Sequence, residues 1–199
     1  MAKHWRLFMD ARSNTQLQPR LRASKIAATF LIFGLLAQGC AAVEDRRLGQ
    51  VATDAEIRLD INKRVLNGQN QDLFFDLKTN VYEGRVMLTG AVKLPENRNR
   101  IAALAKGIPG VRTIYNDVQV TGAGGFKNTA NDVWIKTKVT SQLLAENGVN
   151  SANYQTRVVN SVVYIIGRAL SKHELGKVMT IARRVEHVTK VVNHIETRP

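Results

Sequence analysis

The sequence predicts an α+β protein of two tandem α-β-β-α-β units, each with two helices on one face of a three-stranded sheet, behind an N-terminal signal segment. Three observations carry that prediction. The chain repeats itself from residue 54 onward. Within each copy the apolar period switches between helical and extended values in the same order. A basic stretch and a short apolar run precede the only cysteine, Cys40.

Residues 1–39 hold Lys3, Arg6, Arg12, Arg20, Arg22 and Lys25 against Asp10, so they account for five of the thirteen net positive charges. The apolar run Ile26–Ala37 is shorter than the roughly 20 residues a membrane-spanning helix needs. It suits the h-region of a signal peptide, with Met1 or Met9 as the start. Its end, LLAQGC, resembles a bacterial lipobox, in which cleavage leaves a diacylglycerol-modified cysteine as the new N-terminus. Gly39 is small at the scissile bond, while Ala37 stands where leucine is usual. The reading is a signal peptide over 1–39, lipidation at Cys40 and a lipidated tether over 40–53. A buried cysteine behind an ordinary hydrophobic helix is the alternative. Ala41 stands where aspartate would mark inner-membrane retention, which points to the outer membrane. A single cysteine leaves the mature chain without a disulfide.

The first unit, residues 54–120, opens with DAEIRLDINKRVL, whose Ile57, Ile61 and Val65 make one apolar helical stripe. In the second unit, residues 131–197, DVWIKTKVTSQLL repeats it: Asp54 meets Asp132 and the stripe becomes Ile135, Val139 and Leu143. Two-fold alternation follows, Phe75, Leu77, Thr79 and Val81 against Tyr154, Thr156 and Val158. Turn residues Glu83–Gly84 and Asn160–Ser161 lead into Val86 and Leu88, and into Val163 and Ile165, predicting hairpins with one face inward. A second helix carries Ile101, Leu104, Ala105 and Ile108, matched by Leu175, Val178, Ala182 and Val185. The last strand alternates Ile114, Asn116 and Val118, matched by Val191, Asn193 and Ile195. Between the units, TGAGGFKNTA (121–130) reads as a Gly-rich linker.

Residues 54–120 hold ten Lys and Arg against eight Asp and Glu, and residues 131–199 hold ten against five, so the second unit is the basic one. A basic balance invites a polyanion. Nucleic acid is not the expected partner: the strands lack an RNP-like aromatic pair and no Gly-x-x-Gly joins the helices. Catalysis finds no support either, since the chain has no His-x-x-x-His, no cysteine pair and no Gly-x-Ser-x-Gly turn. Neither an enzyme, a metal site nor a cofactor is expected. His173, His187 and His194 read as solvated or capping, and Asn116 and Asn193 as bonding neighbouring backbone.

These residues support a specific resemblance. The ending LAQGC, the helix ND.WI.TKV.SQLL (Asn131 to Leu144) and the strand-end glycines Gly90 and Gly167 resemble the dual-BON-domain lipoproteins of bacteria, over residues 40–197. The resemblance implies a periplasmic, lipid-anchored, non-enzymatic protein of the outer membrane. It also implies support for envelope integrity, with the second domain contacting anionic phospholipid. A protein-interaction adaptor, serving outer-membrane assembly proteins without recognising lipid, is the alternative of a different class.

Trp134 is the residue on which these readings turn. On a helix starting at Asn131 or Asp132 it lies far from the Ile135–Val139–Leu143 stripe, beside Thr137 and Ser141. The first copy holds Glu56 in that slot, so the fold does not require an aromatic there. Packing against the linker or the other domain is one reading. The other is an interfacial anchor: tryptophan favours the headgroup level, and Lys136 and Lys138 flank it. The candidate phospholipid-binding set is Trp134, Val133, Lys136, Thr137, Lys138 and Ser141.

Overall fold

The computed structural model describes residues 44–67, 77–122 and 129–197. The signal segment, Cys40, Phe75 and most of the 121–130 linker lie outside the described residues. The first copy consists of helix α1 (Leu48–Leu66), strands β1 (Leu77–Tyr82) and β2 (Arg85–Val92), helix α2 (Pro95–Ala105) and strand β3 (Thr113–Val120). In the second copy these become α3 (Thr129–Ala145), β4 (Tyr154–Val159), β5 (Val162–Ala169), α4 (Lys172–Arg184) and β6 (Lys190–Thr197). Each sheet runs in chain order, the first pair antiparallel and the second parallel. The helix between the parallel strands is the crossover such a pair requires.

Both first helices begin earlier than the repeat does. Residues 48–53, read as tether, form the opening turns of α1, because Leu48, Gln50, Val51 and Ala52 are serviceable helix residues with nothing to stop them. Ahead of the helix, residues 44–47 pack onto the fold: Arg46 forms an ion pair with Asp54, and the Asp45 amide donates to Asn153 Oδ1 at 3.0 Å. Asp54 and Asp132 therefore lie inside helices instead of capping them. Each accepts from the two amides of the hairpin turn in its own copy, Glu83 and Gly84 at 2.7 and 2.8 Å, and Asn160 and Ser161 at 2.7 Å each. All four turn residues have positive φ, 50° and 72° in one copy and 49° and 65° in the other, as a tight two-residue hairpin demands. A Cβ on Gly84 would also lie 2.5 Å from Gly110 O, so glycine is needed there twice over.

The predicted stripes are buried. Ile57, Ile61 and Val65 meet Val86, Leu88, Ile101 and Val118 in one core. In the other, Ile135, Val139 and Leu143 meet Val163, Ile165, Val178 and Ile195. Each fully buried Ile or Val side chain contributes about 1.5–3 kcal/mol. Beyond the expected single inward face, β2 and most of β5 are buried on both sides. The helix-free faces of the two sheets pack on one another through Tyr82, Met87, Ala91, Val159, Tyr164 and Ile166. Four layers result, with the sheets inside and the helices outside.

Polar groups fix this inner seam. Arg85, 1% exposed, donates to His194 O at 2.7 Å and Gly167 O at 2.8 Å. Gln119 Nε2 donates to Val159 O and Tyr164 Oη at 2.9 and 3.0 Å, and Gln155 Nε2 donates to Val81 O at 3.0 Å. Glu83 and Arg168 form an ion pair across it. A side chain on Gly167 would run into Asn153 O at 2.1 Å, which accounts for this strand-end glycine.

Candidate functional site

Helix α3 owes its length to Ala130, Leu143, Leu144, Ala145 and the intervening Lys and Gln residues, and it stops before Asn147 and Gly148, whose φ is +78°. Its buried stripe leaves the outer face to Val133, Trp134, Lys136, Thr137, Lys138, Ser141 and Leu144, all exposed. Trp134 is 38% exposed, Val133 60% and Leu144 65%; α1 of the first copy also exposes large apolar residues, Leu48, Leu59 and Leu66, but no aromatic among them. The Lys138 ammonium stands 5.7 Å from the Trp134 ring centroid, within range of a cation–π contact. Thr137 and Ser141 turn their hydroxyls back onto Val133 O and Lys138 O, at 2.9 and 3.0 Å, which leaves their apolar atoms outward.

The structure divides the candidate set. Trp134 and Lys138 share one flank of α3 with Thr137 and Ser141 beside them. Val133 and Lys136 turn toward a cleft against the first copy. The Trp134 ring meets His187 edge to face, with centroids 5.7 Å apart.

His187 was missed as a functional candidate, though a signal existed. It follows α4 at φ 65°, in the left-handed region, and the repeat places Gly110, at φ 85°, in the same slot of the first copy. An L-residue there costs about 1–2 kcal/mol that glycine avoids. The pair Glu56–Gly110 of the first copy has thus become Trp134–His187 in the second. Alongside, an open groove of about 610 Å³ between α3 and α4 is lined by Lys172, His173 and Arg184, while its Lys177 is held by Glu146 at 2.9 Å.

His194 is not solvated as expected. Its Nε2 lies 2.7 Å from Asp117 Oδ2 and its ring stacks on Tyr115 with centroids 3.9 Å apart. Asn116 Nδ2 does bond backbone, Arg98 O at 2.9 Å, and Asn193 Oδ1 accepts from the Ile195 amide at 2.9 Å. Among the described residues no group of three His, Cys, Asp or Glu is placed to hold a metal ion, and no helix is long and apolar enough to cross a membrane.

Two duplicated α+β units joined sheet to sheet, with a basic and partly apolar outer helix on the second, define a tandem small-domain protein. Residues 53–122 and 131–199 each match the BON domain, and the chain belongs to the BON domain family. It is similar to the Anaplasma centrale "uncharacterized protein in gshII 5′region", 32% identical over 146 residues covering 73% of this chain and 95% of that protein. The outer membrane lipoprotein DolP of Haemophilus influenzae is 29% identical over 111 residues, 56% of this chain and 57% of its own length. The osmotically-inducible protein Y of Escherichia coli is 22% identical, over 90% of this chain and 98% of its own.

Proposed function

We propose that this chain is a periplasmic, lipid-anchored, non-enzymatic protein of the outer membrane that supports envelope integrity. In this reading the α3 face of its second BON domain rests on anionic phospholipid. The observation that carries it is the exposure of Trp134 beside Lys138, at a position where the first copy holds Glu56. Tryptophan partitions to the headgroup level, and each lysine near an anionic surface adds about 1 kcal/mol. The likeness to a lipoprotein of the outer membrane supports the location, and Cys40 supplies the residue for the anchor.

Vesicle flotation tests the reading. The unlipidated chain should float with phosphatidylglycerol-rich vesicles and not with phosphatidylcholine vesicles, and Trp134→Glu should lose most of that binding while keeping its melting curve. Unchanged flotation of the folded variant would return Trp134 to packing. A folded wild-type chain that ignores both vesicles would leave the adaptor reading, with outer-membrane assembly proteins as partners.

A further inference from the structure

The two edge strands β1 and β4 face one another across the domain seam, joined there by Asn80 Nδ2 donating to Gln155 Oε1 at 2.9 Å. Lys78 and Arg157 come from the seam-facing sides of these strands, since their neighbours Leu77 and Val158 point into the helix-side cores. Arg157 lines three adjoining hollows of about 380, 270 and 280 Å³. Lys78 lines the first and third of these, Lys136 the first two, and Arg58 the third. Four cations therefore line hollows that share Arg157.

Among the described residues no carboxylate pairs with any of the four. Asp132 also lines the largest hollow, but both its oxygens are occupied by the Asn160 and Ser161 amides. Arg157 Nε is buried and has no hydrogen-bond partner. Burial also lowers the guanidinium's pKa, so the charge is held at a cost with no acid to offset it. Elsewhere on the same seam the Nε atoms of Arg85 and Arg168 equally lack a hydrogen bond, but their terminal nitrogens bond carbonyls or carboxylates, whereas among the described residues no hydrogen bond or ion pair reaches any nitrogen of the Arg157 guanidinium. Like charges brought together around an unsatisfied guanidinium are the arrangement that recognises phosphate, through paired N–H donors from arginine and point charges from lysine.

We propose that the cleft between the two BON domains is a binding site for a phosphate group, with Arg157 as its central ligand and Lys78, Lys136 and Arg58 around it. The largest hollow has Val133, Val158 and Val159 in its wall, so the phosphate can carry an organic substituent against an apolar surface. Of the candidate phospholipid set this site takes Val133 and Lys136, which turn away from the Trp134 flank. A phospholipid headgroup and a soluble phosphate both fit the chemistry.

The test uses the purified full chain labelled with 15N, titrated with inorganic phosphate and, separately, with dihexanoyl-phosphatidylglycerol below its micelle concentration. The Arg157 Nε–H resonance should shift and saturate. Arg157→Gln and the surface change Lys78→Gln should each weaken binding by about tenfold or more. Binding of the short-chain lipid about tenfold or more tighter than inorganic phosphate assigns the site to a headgroup, and equal binding assigns it to soluble phosphate. An Arg157 resonance that neither probe moves, or a Lys78→Gln chain that binds as the wild type does, overturns the site. Neither result bears on vesicle binding through Trp134.

Discussion

Asp117 and His194 occupy the same place in the two copies, one residue beyond the matched Asn116 and Asn193, and they bond to each other across the seam at 2.7 Å. A duplicated strand position has become two complementary halves of one contact. Asp117→Asn and His194→Gln should each destabilise the protein by about 1–2 kcal/mol. The double variant should cost less than the two singles summed, by about 0.5–2 kcal/mol, when measured by urea unfolding. Strict additivity would mean the two side chains act apart.

The hairpin-turn carboxylates give a second expectation. Asp132→Ala strands the Asn160 and Ser161 amides and should cost about 2–3 kcal/mol. Asp54→Ala strands the matching pair and also releases Arg46, so it should cost more. Equal melting losses for the two variants would show that the Arg46 ion pair contributes nothing.

His187→Gly restores the residue that the first copy holds at this left-handed position. Relief of backbone strain and loss of the Trp134 contact oppose each other, so stability should stay within about 1 kcal/mol of the original. Vesicle binding should nonetheless fall, because Trp134 loses the ring that orients it. A variant that binds vesicles as before would remove His187 from the site.

Alkaline behaviour follows from the buried phenols. Burial, with the Glu44 charge adding to it, pushes Tyr82 up to about 12, and burial raises Tyr154 and Tyr164 as well. A folded pKa above the ordinary value near 10 means the native state holds the phenolic proton more tightly, so its stability is whole below about pH 10 and drains away toward 12. Phenolate absorbance should emerge late and together with loss of circular dichroism. Full phenolate formation near pH 10 in a protein that stays folded would contradict this.

Anchoring is tested at Cys40. Multiple acyl chains, each methylene worth about 0.8 kcal/mol, hold a protein far more firmly than one. Cys40→Ala should lose stable membrane attachment, and mass spectrometry should find diacylglycerol on the wild-type cysteine. An unmodified Cys40 in membrane-bound protein would end the idea.

Much of the fold is legible in the residues. The stripes Ile57–Ile61–Val65 and Ile135–Val139–Leu143 announce their helices because a buried face must recur at helical spacing, and Gly90 and Gly167 mark the same strand end. The seam is far less visible. It is made of Gln119, Gln155, Asn160 and Arg85, types that read as solvent-facing until a second sheet is laid over them. The hint lay in the near-continuous apolar runs of β2 and β5, VMLTGAV and VVYIIG, which suit strands covered on both faces. At the candidate site, Trp134 stood out against Glu56 within one sequence. Arg157 did not, because its lack of a partner is a property of the space around it.

The docked segment ahead of α1 has a mechanical consequence. Asp45 is held by Asn153 at both its amide and its carboxylate, at 3.0 and 2.7 Å, before the chain enters the first helix. Tension arriving from the N-terminal side is therefore shared with the second domain before it can peel the first. The two copies act as a clasp closed over their own lead-in, and unthreading it requires breaking a contact 108 residues away in sequence.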